Sequence, residues 1–361
     1  MGYETMIQTK KDSGVKFKAI GLAILAALLY GVSSPVAKLL LRELPPVLMA
    51  ALLYLGAGFG MAGVNAYIEL RKKERFEAQI TKNETKYILW MIVLDIAAPI
   101  LLMFGLSKTT AANASLLNNF EIVATSLIAL FIFKETVGRR MWFAITLITI
   151  SSIILSVSDF SSLSFSLGSI FVLLACIFWG LENNCTRMLS LKDPLQIVVI
   201  KGLGSGTGSA LICFYLKAYS NNWLYIAIAL LLGFVTYGLG IFLYIRAQRD
   251  LGAARTSAYY ATAPFIGVLI SFLVLHEPIT KSFLIALAIM LLGTYFAVSE
   301  DHKHKHAHNY ERHEHKHRHD DGHHMHMHDE DITFEHSHEH THDLMEHKHA
   351  HTPDLHHRHM H

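Results

Sequence analysis

The chain has 361 residues, is 52% hydrophobic and 17% charged, and carries a formal net charge of +2 with its 24 histidines neutral. That balance holds no basic surplus of the kind that points to a nucleic-acid partner. It also conceals two unlike parts: residues before Glu300 hold 24 Lys/Arg and 15 Asp/Glu, whereas the tail from Glu300 holds 7 and 14 and has almost no apolar residues.

Apolar blocks lie at about 19–41, 46–68, 87–107, 110–133, 140–158, 166–186, 194–217, 223–245, 252–275 and 281–299. A bilayer core about 30 Å thick is crossed by about 20 helical residues. Ten such blocks in succession exclude a soluble core of this size. They predict an all-α polytopic membrane protein whose backbone polar groups are paired within each span. Lys10, Lys11, Lys16 and Lys18 precede the first block, but no small-residue cleavage site follows it, so it reads as a mature span rather than a signal peptide. Lys and Arg concentrate on the cytoplasmic side of membrane proteins. With the N-terminus inside, 18 fall on the inner side, among them Arg71 to Lys86, Arg139, Arg187 and Arg246, and five on the outer side (Lys38, Arg42, Lys108, Lys217, Lys281). Both termini are therefore expected in the cytoplasm of a protein of the plasma membrane. Cys176, Cys185 and Cys213 fall inside blocks and read as small core residues, not as a disulfide framework.

Ionisable side chains inside spans are costly, by about 2.5–3.5 kcal/mol on insertion scales, and so face a cavity or a partner. Asp95 and Glu121 both come out near the midplane, where two acids can bind a cation or relay a proton; Asp95 can equally bond a hydroxyl or backbone group off the route. Asn118 and Asn119 adjoin Glu121 and serve either the solute or helix–helix hydrogen bonding. Glu182 and Lys201 sit at comparable depth and fit a neutralised intramembrane pair, with Asn183 beside Glu182. If Lys201 instead faces a cavity with Glu121, the site can read both signs of a zwitterion such as an amino acid. Tyr237, Tyr259 and Tyr260 are candidates for the same lining, or for packing. The glycines from Gly202 to Gly208 lack the Lys-Ser/Thr ending of a phosphate loop, and the pairs Gly202/Gly206 and Gly204/Gly208 read as close helix packing. Pro35, Pro99 and Pro264 are candidate kinks, and Glu135 and Glu277, at span ends, are candidate loop anchors.

The chain also repeats itself. Shifted by 142 positions, 109–135 lies over 251–277 without a gap, with Ala111 on Ala253, Ala112 on Ala254, Ser115 on Ser257, Ile128 on Ile270 and Glu135 on Glu277. With an offset of 149, Tyr30-Gly31 and Pro45 fall on Trp179-Gly180 and Pro194. Five spans per copy invert the second copy, an arrangement that in transporters places a site between the halves. The expected domains are a 1–18 cytoplasmic segment, repeats at 19–158 and 159–299, and a 300–361 tail. The paired aromatic-Gly, the Pro opening the next span and the Glu closing each fourth span resemble the EamA-type drug/metabolite transporter superfamily over residues 19–299. The resemblance implies a ten-helix transporter of small metabolites or drugs. One departure is Tyr54, where many relatives carry a basic residue.

The tail holds 23 of the 24 histidines, many alternating: His302, His304, His306, His308, His313, His315, His317, His319, His323, His324, His326, His328, His336, His338, His340 and His342 among them. So few apolar residues predict disorder. Neutral imidazole suits Zn, Ni, Co or Cu, with Asp and Glu completing a shell. The expected function is secondary transport of a small solute, with proton coupling through Glu121, no required cofactor and a metal-binding regulatory tail. A divalent-metal exporter and a metal-responsive sensor are the alternatives, and a homodimer is left open. No nucleotide-binding motif occurs, and the apolar blocks hold neither HExxH nor GxSxG, which argues against direct ATP use and against an intramembrane enzyme.

Overall fold

The computed structural model describes residues 2–70, 80, 82–132, 134, 137–159, 164–189, 192–251 and 253–299, and in the tail 304–308, 311–317, 336–342 and 345–349. Side chains are described from Phe17 to Ser299, apart from some loop, strand and helix-end positions, 249–250 and 252–255 among them. Among the described residues, ten helices are long and apolar enough to span a membrane. Spans one to five are Phe17–Leu40, Pro46–Leu70, Thr85–Lys108, Ala111–Phe131 and Arg139–Ser156. Spans six to ten are Leu167–Arg187, Pro194–Tyr215, Trp223–Gln248, Thr256–Leu275 and Lys281–Val298. The protein is an integral, multi-pass membrane protein of two inverted five-helix repeats. Leu53, Met103, Leu106, Leu116, Leu117 and Ile148 pack its centre, while Phe131, Phe143, Leu269, Leu273 and Tyr295 are exposed on the outside, where lipid replaces water as their solvent.

The halves interlock as a pseudo-twofold requires. Span two packs along span seven and span five along span ten; span one crosses to span eight as span six crosses to span three. A side chain on Gly31 of span one would strike the Ile266 Cβ of span nine at 2.9 Å, and one on Gly180 of span six would strike the Ala124 Cβ of span four at 2.8 Å. The offsets of 149 and 142 carry the first contact onto the second. Equivalent spans also end alike, on the left-handed residues Lys134 (φ 56°) and His276 (φ 51°). In this conformation the chain leaves the helix through a turn of the αL type.

Span seven uses its glycines on two faces. Gly202 and Gly206 close on span two, and Gly204 and Gly208 receive Ile92 and Ile96 of span three. Where span seven crosses span two, an added methyl on Gly202 would stand 2.5 Å from the Gly58 Cα. Gly202→Val is therefore expected to cost about 1–3 kcal/mol, the penalty of an overpacked interface, and to lower the unfolding temperature in detergent.

Two spans that read as continuous are broken at mid-depth. Span four consists of Ala111–Leu117 and Phe120–Phe131, joined through Asn118-Asn119. Backbone bonds from Asn119, Glu121 and Ile122 reach back only three residues, and the Asn119 side chain donates to the Leu116 carbonyl. A short amide side chain competes in this way with the helix ladder. Span nine breaks at the equivalent place, between Tyr260 and Ala263. There Pro264 has no N–H to donate and Thr262 caps the Tyr259 carbonyl. Span one also breaks, at Val32, three residues before Pro35, whereas Pro99 lies within the unbroken helix of span three. In span eight Phe234–Leu239 is π-helical, a local widening common at functional positions.

Between the repeats Val157–Asp159 pairs with Ser164–Phe165. In the tail, His304–His308 runs antiparallel to Met345–His349, and Glu311–His317 to His336–His342. Isolated two-strand pairs of this kind have little stability of their own in water.

Candidate functional site

Near the middle of the bundle, spans two, three, six and seven bring a charged cluster together. Lys201 Nζ lies 3.1 Å from Asp95 Oδ2 and 3.0 Å from Glu182 Oε1. The Asp95 contact is an ion pair without the alignment of a hydrogen bond. The Tyr54 hydroxyl donates to Asp95 Oδ1 at 3.0 Å, and Thr186 donates to Glu182. Both carboxylates are almost wholly buried, at 0% and 1% side-chain exposure, so neither has water to replace a lost partner. Tyr54 thus stands in span two as a neutral donor beside the acid of span three.

Glu121 opens the second segment of span four. Asn183 of span six donates to Glu121 Oε1 at 2.6 Å and to Thr125 Oγ1 at 3.2 Å. Asn184 donates to the Thr125 carbonyl at 3.1 Å and the Gly180 carbonyl at 2.8 Å, which ties span six to span four around that contact. No Lys or Arg among the described residues pairs with Glu121, although Lys201 and Glu182 are near enough to act on it electrostatically. Glu121 keeps part of its surface accessible, unlike Asp95 and Glu182.

A file of tyrosines runs through spans one, two, eight and nine. Ring centroids run 5.6 Å from Tyr54 to Tyr237, 5.9 Å from Tyr237 to Tyr30, 5.6 Å from Tyr30 to Tyr260 and 4.8 Å from Tyr260 to Tyr244. Tyr237 rides on the π-helical segment of span eight, and Tyr260 ends the first segment of span nine. Glu121 acts electrostatically on Tyr30, Tyr237 and Tyr260. The file ends at Tyr244, whose hydroxyl lies 3.0 Å from that of the exposed Ser257, near the ends of spans eight and nine that adjoin residues 249–252.

Not every candidate joins these groups. Tyr259 packs with Ile20, Leu22 and the Ala19, Ala23 and Ala247 cluster, away from Glu121. Asn119 meets Thr294 of span ten at 3.5 Å in a helix–helix bond. Asn118 is buried with its Oδ1 unpartnered. Tyr30, Thr125 and Tyr244 were not among the sequence candidates. Tyr30 carried a signal, the aromatic-Gly pair repeated at Trp179-Gly180; Tyr244 carried none, because only the pairing of spans eight and nine brings it to Tyr260.

The opposite end of the bundle is pinned. Lys38 Nζ donates to the carbonyls of Leu106 at 2.6 Å and Thr109 at 2.7 Å, capping span three. Glu277 accepts from the Ala111 and Ala112 amides at 2.7 and 2.9 Å, capping span four from the loop after span nine. Each charge faces the helix end of opposite polarity. Glu135, the counterpart of Glu277, lies outside the described residues. So do His302, His319, His323, His324, His326 and His328 of the tail. The backbone of the tail pairs sets His313 opposite His340, His315 opposite His338, His317 opposite His336 and His306 opposite His347.

Comparison with known proteins agrees with this architecture. The chain is 28% identical over 289 residues to an uncharacterized transporter of Methanothermobacter thermautotrophicus, spanning 75% of this chain and 83% of that one. It is 24% identical over 250 residues to the uncharacterized transporter YyaM of Bacillus subtilis, spanning 66% and 81%. A solved crystal structure superposes with a TM-score of 0.52 at 16% identity, covering 78% of this chain and 95% of that one, which bears on the fold alone. The EamA-like transporter family model matches twice, over residues 17–157 and 166–299. With both repeats accounted for, the chain belongs to the EamA-like transporter family.

Proposed function

We propose that the protein is a secondary transporter that moves a small metabolite or drug-like solute by alternating access between its two halves. The chamber between Glu121, Asn183 and the tyrosine file is its binding site. One observation carries this reading: an acid without a cationic partner lies at the break of span four, inside the protein yet still accessible, where both halves contribute walls. Interrupted helices around a mid-depth site are the usual construction of transporter sites. The caps at Lys38 and Glu277 close one end while the tyrosine file leads towards the other, which fits one state of an alternating cycle. The charge of the loops supports cytoplasmic termini in the plasma membrane. Glu121 is the residue through which a proton would couple to the solute.

In a second reading the tail is the working part, either sensing or delivering Zn, Ni, Co or Cu. The strand register that sets histidine opposite histidine favours metal binding there. Flux into proteoliposomes with and without residues 300–361 separates the two. A solute transporter moves organic solute almost equally with and without the tail, a metal exporter moves metal and loses rate without the tail, and a sensor moves nothing.

A further inference from the structure

Among the described side chains no three His, Cys, Asp or Glu gather to hold a metal ion, so the membrane part offers no such group. In the tail the backbone does the gathering. Glu311–His317 runs antiparallel to His336–His342, with His313 opposite His340, His315 opposite His338 and His317 opposite His336. Residues directly opposite share a face of the ribbon, and so do residues two apart along a strand. Three histidine pairs in succession therefore stand on one face. The other face of these strands holds no histidine and sets Glu314 opposite Glu339. Opposed positions lie about 4.5–5.5 Å apart at Cβ, and neighbouring pairs are about 6.8 Å apart along the strand. Two adjacent pairs thus place four histidines within one small patch of ribbon, the ligand number of a tetrahedral metal site.

We propose that this face takes a divalent transition-metal ion, Zn, Ni, Co or Cu, between adjacent histidine pairs, and that the ion closes the ribbon. Neutral imidazole suits these ions. Three features leave closure to the ion. An isolated two-strand ribbon is marginal in water. Like charges stand directly across the strands, Glu314 against Glu339 here and Lys305 against Lys348 in the neighbouring pair, which disfavours pairing. Closing the loop of residues 318–335 also costs chain entropy, and the strands have few apolar residues to offset it. Where the open chain has no preformed site, the free energy of binding metal becomes free energy of folding. Such a ladder deepens the metal-binding reading of the tail, on which it rests, and is independent of what the membrane part carries. Its ligands are pairs fixed by register, not interchangeable histidines.

The test uses the full-length protein in nanodiscs with zinc ion as the probe, read by equilibrium dialysis and by backbone hydrogen exchange. Zinc, but not magnesium, should slow exchange in both 311–317 and 336–342. Replacing His313, His315 and His317 with Ala takes one member from every pair. The zinc concentration that half-protects 336–342, a strand left with all its histidines, should then rise by at least about tenfold, as metal sites that lose a supporting group do. Replacing His319, His323 and His324, which lie outside the described strands, removes as many histidines and should shift it by less than about threefold, the usual effect of a substitution away from the site. Equal shifts in the two variants overturn the proposal, as does zinc binding that leaves exchange in the two strands unchanged. In both of those cases the tail still binds metal, so the broader reading stands while the ladder falls. No zinc binding at all removes the ladder and the metal-binding reading together.

Discussion

Replacing Lys201 with methionine is expected to destabilise the folded protein by about 3–5 kcal/mol, the usual consequence of leaving buried carboxylates without their cation. Asp95 and Glu182 have 0% and 1% side-chain exposure and share that single ammonium. Tyr54 and Thr186 each satisfy one oxygen but bring no charge. The loss should appear as a sharp fall in the unfolding temperature in detergent. Adding Asp95→Asn and Glu182→Gln to Lys201→Met should recover most of it, since a buried ion cluster replaced as a whole by neutral groups of similar volume often costs little. If Lys201→Met alone is as stable as the parent, the triad does not hold spans three, six and seven together in the way described. The triple variant serves a second purpose: a stable triple variant that still carries solute separates the cluster's structural role from the chamber's.

Glu121→Gln should do the reverse, sparing the fold and stopping the flux. Glutamine has the same shape, and its carbonyl oxygen can still accept from Asn183, so unfolding temperature should stay within a degree or two of the parent. What is lost is the unpaired negative charge facing the chamber. A charged hydrogen bond contributes about 1.5–3 kcal/mol, so solute flux in proteoliposomes should fall by about ten- to a hundredfold. Thr125→Val, which removes a hydroxyl that also accepts from Asn183 but changes no charge, should cost much less. Normal flux through Glu121→Gln removes Glu121 from the transport path.

The sequence reached the architecture because membrane spans are read from length and composition, and the repeat from spacing. All ten blocks lie within a few residues of the helices observed. The offsets of 142 and 149 survive as paired contacts at Gly31 and Gly180 and as paired left-handed ends at Lys134 and His276. Less was legible in the site. Depth along a helix put Glu182 and Lys201 level, but depth says nothing of rotation, so whether Lys201 faced Glu182 or Glu121 stayed open until the helices were packed. Rotation also separates Tyr259 from Tyr260: neighbours in the chain, they point to different places, one to Ala19 and Ala247 and the other to Tyr30. The break in span four was written in Asn118-Asn119 as a local preference for turns, yet an apolar run of that length reads as one helix until the backbone bonds are traced. The π-helical segment around Tyr237 has no comparable signature, because it depends on how span eight meets spans two and one.

Labelling from one side of the membrane tests the inverted arrangement most directly. In a background without Cys176, Cys185 and Cys213, single cysteines are placed at the exposed, equivalent positions Lys134 and His276. An impermeant thiol reagent applied to intact cells should label the His276 position at once and the Lys134 position only after permeabilisation. Labelling of both from the same side would mean that the two repeats run parallel, and no shared chamber of the kind described could then form between them.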